Sequence, residues 1–122
     1  MWMTPYGYTK TRPNDYDDLI RVGGKAVSAL KAVHGTEYRL GTIANVIYKA
    51  SGSTVDWVYD KGGVKYSYAL ELRPTWADGN GFMLPVNKIK PTVEETWVAI
   101  KAMADEIDEG VKTLPKIVFF EW

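Results

Sequence analysis

Apolar residues recur every three or four positions in the first third of the chain, which is the spacing of one face of an α-helix. Leu19, Val22 and Ala26 belong to this repeat. The acidic residues within positions 15–18 favour the start of a helix, where the helix dipole is positive, and Gly35 is the residue type that commonly ends one. The pattern predicts a helix that begins after position 14 or 15 and ends at Gly35.

A second helical repeat follows a proline near the end of the chain. Thr92 and Glu95 have the spacing of a capping box, in which each side chain hydrogen-bonds the backbone N–H of the other residue. The pattern predicts a helix that begins just after Pro91 and ends near Gly110. Its apolar positions, which we expect to form a buried stripe, are Trp97, Ile100, Ala104 and Ile107.

Apolar and polar residues alternate over residues 64–73, which is the period of a β-strand. The alternation places Leu70 on one face of the strand, and Ala69 and Glu71 on the other. Shorter strands are predicted at the start of the chain and at residues 38–40. Two short helical segments are predicted at 42–47 and 55–59, the second with a capping box formed by Ser53 and Asp56, and Trp57 is expected in the core with Trp97.

The composition excludes several classes of function. Fifteen Lys and Arg residues balance fifteen Asp and Glu residues, so the chain lacks the basic excess that nucleic acid or an anionic membrane requires. There is no cysteine and one histidine, which excludes a disulfide framework and a cysteine nucleophile. We find neither an apolar run long enough to span a bilayer nor a signal-peptide pattern.

Pattern alone leaves the chemistry open. Glu71 lies among aromatic residues, where burial would raise a carboxyl pKa toward the range of a general base, yet it also fits a solvated sheet face. His34 and Glu37 have the spacing of metal ligands, but Gly35 breaks the helix between them, so we discard this pair. Tyr48 precedes a flexible loop and also fits an ordinary surface tyrosine. A sugar-stacking module would require a row of solvent-facing aromatic rings.

Two longer segments carry a family resemblance. IYKASGSTVDW at 47–57 and YSYALELR at 66–73 resemble the C-terminal part of the zinc metallocarboxypeptidases of the pancreatic carboxypeptidase A and B type. The resemblance extends over about residues 2–107. Shorter matching segments occur in the same order at 5–9, 35–38 and 81–85.

The resemblance implies an α/β protein, the C-terminal portion of a mixed-sheet α/β/α zinc-carboxypeptidase fold. Residues 1–110 would belong to the catalytic domain, and residues 111–122 would form a tail of unknown role. Members of this family are extracellular hydrolases that use zinc to remove C-terminal residues from peptides. The implied partners are therefore peptide or protein C-termini, with no nucleic acid and no membrane.

The resemblance also implies the roles of individual residues. Glu71 is the general base, which deprotonates the attacking water and passes the proton to the leaving amine. Tyr48 closes over the terminal carboxylate of the substrate. Val55 lies at the base of the side-chain pocket, where basic-specific members have Asp, which implies aliphatic or aromatic C-terminal residues as substrates. The other implied substrate-binding residues are Met3, Gly7, Ile43, Ile47, Ala50, Ser53, Thr54, Ala69 and Phe82.

The zinc ligands of the family lie before the region that this chain matches. A catalytic zinc needs three protein ligands and an open position, whereas the chain offers one histidine and no cysteine. We therefore expect a fragment that binds no zinc and is inactive without a missing N-terminal catalytic segment. The alternative is a non-catalytic module that binds peptide termini or self-associates.

One departure from the family pattern affects the backbone next to the catalytic strand. The family has Asp, joined by a cis peptide bond, after the arginine that corresponds to Arg73, and this chain has Pro74 there. The cis form is far less costly before proline than before other residues. We therefore predict that the bond between Arg73 and Pro74 is cis.

Overall fold

The computed structural model describes residues 1–74 and 81–112, with side chains as far as Gly110. The predicted loop at 75–80 and residues 113–122 of the predicted tail lie outside the described residues. In chain order the strands are β1 (Trp2–Thr4), β2 (Leu40–Thr42) and β3 (Ala69–Leu70). The helices are α1 (Tyr16–His34), α2 (Ile43–Val46), α3 (Thr54–Asp60) and α4 (Val86–Lys112).

The strands form a mixed sheet with β1 in the centre, in the order β2-β1-β3. β1 is parallel to β2, with Trp2 opposite Leu40, and antiparallel to β3, with Met3 opposite Ala69. A parallel pair requires a long crossover connection, which α1 provides between the first two strands. All three residues of β1 are buried, so this strand lies at the centre of the structure.

The sheet separates two clusters of apolar side chains, because successive residues of a strand point to opposite faces. Trp2 packs with Ala26 and Leu30 of α1 and with Ala99 of α4. Met3, the next residue, packs instead with residues of α2 on the other face. The first cluster holds α1 and α4 against the sheet, and the second contains several of the predicted pocket residues.

The first predicted helix is confirmed. Gly35 ends α1 in the left-handed conformation, with φ of 74°, and its N–H donates to the carbonyl of Lys31 at 2.8 Å. Asp15 is the N-cap residue but makes no side-chain capping bond. Its carboxylate instead accepts a hydrogen bond from the Tyr59 hydroxyl at 2.8 Å, which connects the start of α1 to α3.

The long strand predicted over residues 64–73 is wrong in extent, since only Ala69–Leu70 pairs as a strand. The residues before this pair bond elsewhere through their side chains. Tyr66 donates to Asp18 of α1 at 2.8 Å, and Ser67 donates to the carbonyl of Val55 at 3.1 Å. The predicted division into two faces is correct where β3 forms, because Ala69 and Leu70 pack in different clusters.

The predicted start of the last helix is also wrong. α4 begins at Val86, and Pro91 lies inside it, so Thr92 is an internal residue and not a cap. The Thr92 hydroxyl donates to the carbonyl of Lys88, one turn earlier, at 2.7 Å. The capping-box spacing was misleading because both of its polar side chains have partners within the fold.

The buried face of α4 differs from the predicted apolar stripe. α4 buries Thr92, Glu95 and Ala99, whereas Trp97 is 58% exposed. The polar residues on the buried face bond to Arg73, and the small side chain of Ala99 allows close packing in the first cluster. Trp57, the other predicted core tryptophan, is 63% exposed on α3.

The backbone contains two cis peptide bonds within its described part. The bond between Arg73 and Pro74 is cis, as predicted. The bond between Pro5 and Tyr6 is also cis, which the sequence did not predict. None of the helices in the described part of the chain combines the length and apolar character that crossing a bilayer requires.

The carboxyl group of Asp18 makes the stability of this fold depend on pH. Hydrogen bonds from Lys65, and also from Tyr66 and Arg21, lower the pKa of Asp18 from its ordinary value of 3.8 to about 2. A carboxyl whose pKa is lowered on folding adds stability above its unfolded pKa and loses it as the pH falls to the folded one. We expect Asp18→Asn to reduce the free energy of unfolding near pH 6, with the deficit shrinking between about pH 4 and pH 2.

Urea unfolding of both proteins across this pH range measures the effect. Repeating the comparison in a Lys65→Met background provides the control, because the main cause of the pKa shift is then removed. The dependence of the deficit on pH should become weaker there. A deficit that is the same at every pH in the original background would contradict the assignment.

Candidate active site

Five of the predicted pocket residues meet in one apolar cluster beside β1. Each comes from a different part of the chain: β1, α2, the residue after α2, α3 and β3. Met3 and Ile43 are buried, and the others pack against them. We call this group the pocket cluster, and its members are Met3, Ile43, Ile47, Val55 and Ala69.

Gly7 and Ala50 adjoin the pocket cluster through a close backbone contact. The carbonyl of Gly7 accepts a hydrogen bond from the N–H of Ala50 at 2.9 Å. A Cβ atom at Gly7 would lie 2.8 Å from the carbonyl oxygen of Ala50 and 3.2 Å from Cγ2 of Ile43. Any side chain at position 7 would therefore displace the backbone of residue 50 or the wall of the cluster.

Asp56 is buried and holds the loop that follows β1. Its Oδ1 and Oδ2 accept hydrogen bonds from the N–H of Gly7 at 3.0 and 2.9 Å, and Oδ2 accepts another from the N–H of Tyr8 at 3.2 Å. The predicted capping box is therefore wrong: Ser53 is the N-cap residue of α3, but its side chain makes no capping bond. The sequence pattern did not predict this function of Asp56, although the residue lies within the family segment at 47–57.

Glu71 lies at the end of β3, beside the first residue of the chain. Its N–H donates to the carbonyl of Met1 at 2.9 Å, and the amino group of Met1 donates to the carbonyl of Glu71. The side chain of Met1 packs against the pocket cluster. Glu71 is half-buried, so it is placed next to the cluster but retains access to solvent.

The remaining predicted site residues lie at the surface. Tyr48 is 69% exposed and follows Ile47 directly, so it lies at the edge of the pocket cluster. Phe82 is 79% exposed and precedes α4. Thr54 is exposed and Ser53 is half-buried at the start of α3. The packed cluster, as far as the structure describes it, includes none of these four side chains.

Exposed tryptophans also bear on the sugar-stacking alternative. Burial of Trp57 and Trp97 would have counted against that reading, and both are exposed. They belong to different helices, α3 and α4. Their exposure is compatible with stacking but does not by itself form a row of rings.

The described part of the chain was searched for metal ligands that lie close together. Across residues 1–74 and 81–112, no group of three or more His, Cys, Asp and Glu side chains is arranged to hold a metal ion. Nε2 of His34 lies 3.3 Å from Oε2 of Glu94, and Glu37 bonds to Lys31 at 2.6 Å. His34 and Glu37 thus each contact a different residue.

Comparison with known sequences identifies a family. The sequence model of the zinc carboxypeptidase family matches residues 1–99. Carboxypeptidase A2 of Rattus norvegicus is 50% identical over 105 residues, which are 86% of this chain and 24% of the relative. Carboxypeptidase B of Astacus astacus is 47% identical over 110 residues, which are 89% of this chain and 35% of the relative.

Solved structures agree with this result. Bovine thrombin-activatable fibrinolysis inhibitor, in complex with tick carboxypeptidase inhibitor, matches with a TM-score of 0.83 and 34% identity, over 89% of this chain and 36% of that chain. Carboxypeptidase A from Helicoverpa armigera matches with a TM-score of 0.78 and 27% identity, over 91% of this chain and 28% of that one. The chain thus spans a quarter to a third of its relatives, and the predicted mixed α/β carboxypeptidase fold is confirmed. This chain belongs to the zinc carboxypeptidase family.

Proposed function

We propose that this chain forms the substrate side-chain pocket and supplies the general base of a metallocarboxypeptidase. The proposed reaction removes aliphatic or aromatic residues from the C-termini of extracellular peptides or proteins. The observation that supports it most directly is the pocket cluster, which brings five of the predicted pocket residues together near the strand that precedes Glu71.

The chemistry of the pocket favours uncharged side chains. Met3, Ile43 and Val55 offer only apolar contacts, and these cannot replace the water lost by a Lys or Arg side chain. Asp56 is the carboxylate nearest to Val55 in sequence, but its oxygens accept bonds from the N–H groups of Gly7 and Tyr8. Asp56 is therefore engaged in holding the loop and is not placed to pair with a basic substrate.

Glu71 and Tyr48 have complementary roles in the proposed reaction. The Glu71 carboxylate accepts a proton from the attacking water as the oxygen bonds to the scissile carbonyl carbon. It then gives the proton to the amine as the C–N bond breaks. Tyr48 is exposed after α2, and its hydroxyl can donate to the substrate carboxylate once the side chain turns inward.

Zinc must be held by residues outside this chain. The single histidine contacts Glu94, and the sequence has no cysteine. Bound zinc in this family polarises the scissile carbonyl. We therefore propose that the chain alone does not hydrolyse peptides, and that a further catalytic segment completes the site. The alternative remains a non-catalytic module that binds peptide C-termini in the pocket cluster or self-associates.

A chimera tests this proposal. In it, this chain replaces the matching 105-residue region of rat carboxypeptidase A2. We expect one bound zinc and hydrolysis of peptides that end in Phe or Leu, with little cleavage after Lys or Arg. In the chimera, Val55→Asp should shift the ratio of kcat/KM toward basic C-terminal residues by at least about tenfold, because a carboxylate would then pair with the substrate cation.

Val64→Asp provides the matched control, because Val64 is already exposed, and it should leave the ratio unchanged. Preference of the parent chimera for basic C-termini would contradict the pocket assignment. A chimera that binds zinc and peptide but does not hydrolyse would favour the non-catalytic module.

A further inference from the structure

Asp56 is a buried carboxylate that bonds to backbone groups of a distant segment. Its side chain is 6% exposed at the start of α3. The hydrogen bonds that it accepts from the N–H groups of Gly7 and Tyr8 replace part of the water that a buried carboxylate loses. Hydrogen bonds to an ionised acceptor are roughly twice as strong as those between neutral groups. Asp56 therefore fixes the position of Gly7 and Tyr8 relative to α3.

Gly7 lies between Asp56 and the pocket cluster. A Cβ atom at this position would lie 3.4 Å from Oδ2 of Asp56 and 3.2 Å from Cγ2 of Ile43. Gly7 is buried and has no side chain that could absorb a movement of the loop. A change in how Asp56 holds the loop would therefore reach Ile43 directly through the backbone of Gly7.

α3 also supplies a side chain to the pocket cluster. Val55, which directly precedes Asp56, packs against the buried members of the cluster. The bonds of Asp56 thus connect the segment that carries Val55 with the loop that carries Gly7, and the spacing between these two sides of the pocket cluster depends on them. Glu71, by contrast, is held by backbone bonds to Met1, which do not involve Asp56.

We propose that Asp56 is a positioning residue that determines which size of substrate side chain the pocket cluster accepts. This inference rests on the proposed function, in which the cluster receives the side chain of the C-terminal residue. Asp56 does not touch the substrate and acts through Gly7. A large aromatic side chain contacts both the Gly7 side and the Val55 side of the cluster, so its binding depends on their spacing. A methyl group makes few of these contacts and is much less sensitive to it.

The test is Asp56→Asn in the chimera with rat carboxypeptidase A2. Asn has nearly the same shape, but its NH₂ group replaces one of the two oxygens that accept from Gly7 and Tyr8. The KM for a peptide ending in Phe should rise roughly tenfold, and the KM for one ending in Ala should change by less than about twofold. Because Glu71 keeps its bonds to Met1, kcat should stay within about threefold of the parent value. KM does not depend on how much of the enzyme is folded, so partial unfolding cannot imitate this result.

Two further variants separate the positioning role from a general loss of charge or packing. Asp60→Asn is the matched control on the same helix, because Asp60 is exposed and accepts a hydrogen bond from the hydroxyl of Tyr6 at 2.6 Å. It should leave both KM values within about twofold of the parent. Gly7→Ala displaces the same loop while Asp56 is retained, since its Cβ would lie 2.8 Å from the carbonyl oxygen of Ala50. It should also lower the preference for Phe over Ala, by at least about threefold.

The contrary results are distinct. Equal changes in the two KM values, or a fall in kcat with an unchanged KM ratio, would overturn the proposal. Failure of Asp56→Asn to fold would assign Asp56 to the stability of the whole fold, and an unchanged KM ratio in Gly7→Ala would show that the loop does not shape the pocket.

Failure of the proposed function is seen separately, in the parent chimera. A parent that binds peptides without hydrolysing them would contradict the proposed reaction. Dissociation constants from calorimetric titration then replace the KM values, and the same selective loss for the peptide ending in Phe is expected with Asp56→Asn. Equal affinity losses for both peptides would overturn the positioning role in that case as well.

Discussion

Replacing Glu71 by Gln in the chimera should lower kcat by roughly 10²–10⁴-fold, because general-base catalysis contributes this much and an amide cannot take the proton from water. Gln has the shape of Glu and conserves the backbone bonds between residue 71 and Met1. The zinc content and the KM for a peptide ending in Phe should therefore change little. Steady-state kinetics and metal analysis of the purified proteins measure both effects.

A matched substitution elsewhere distinguishes catalysis from a general loss of charge. Glu37→Gln removes an exposed carboxylate that bonds to Lys31, and it should leave kcat within about twofold of the parent value. If Glu71→Gln retained more than a tenth of the activity, Glu71 would not be the base. If it abolished zinc binding, its effect would be on the metal site.

Replacing Glu95 by Ala should lower the free energy of unfolding of the isolated chain by about 3–5 kcal/mol, the usual result of removing one partner of a buried ion pair. Glu95 is completely buried, with Oε1 located 3.0 Å from Nε of Arg73. Its Oε2 accepts a hydrogen bond from the hydroxyl of Thr36 at 2.8 Å. The substitution would leave the largely buried guanidinium of Arg73 without its carboxylate and would remove the hydrogen bond between Glu95 and Thr36.

Urea unfolding measures this loss, and two variants interpret it. Glu94→Ala removes the neighbouring carboxylate, which is exposed and contacts His34, so its effect should stay within about 0.5 kcal/mol. Arg73→Met combined with Glu95→Leu removes both charges and should recover most of the loss, since an apolar pair can replace a buried ion pair. Similar losses from Glu94→Ala and Glu95→Ala would contradict the assignment.

Prediction succeeded where the structure depends on neighbours in sequence. Acidic residues, a helical repeat and Gly35 act within one or two turns, and α1 forms where they predict. The two faces of β3 follow from the geometry of a strand, in which adjacent side chains point in opposite directions. The motif around Tyr48 and Glu71 identified the family because it is specific in both residue type and order.

Prediction failed where polar residues find distant partners. Glu95 and Asp56 both have the spacing of the second residue of a capping box. Each is instead buried and accepts hydrogen bonds from residues distant in sequence. For the same reason the buried face of α4 differs from the predicted one. Thr92 and Glu95 are buried because they bond to Arg73, whereas Trp97 is exposed. A pattern of apolar residues cannot identify a buried face that includes polar side chains paired with residues distant in sequence.

The order of residues alone was sufficient for the family, the first helix and the two faces of β3, because these depend on short motifs and on spacing along one element. Only the tertiary structure packed Met3 with Ile43 and Ala69, and only it exposed Trp97 on α4. The first depends on how β1 pairs with two strands that are distant in sequence, and the second on the polar contacts that Thr92 and Glu95 of α4 make with Arg73. Contacts of this kind arise from the packing of the whole chain, and local spacing carries no information about them.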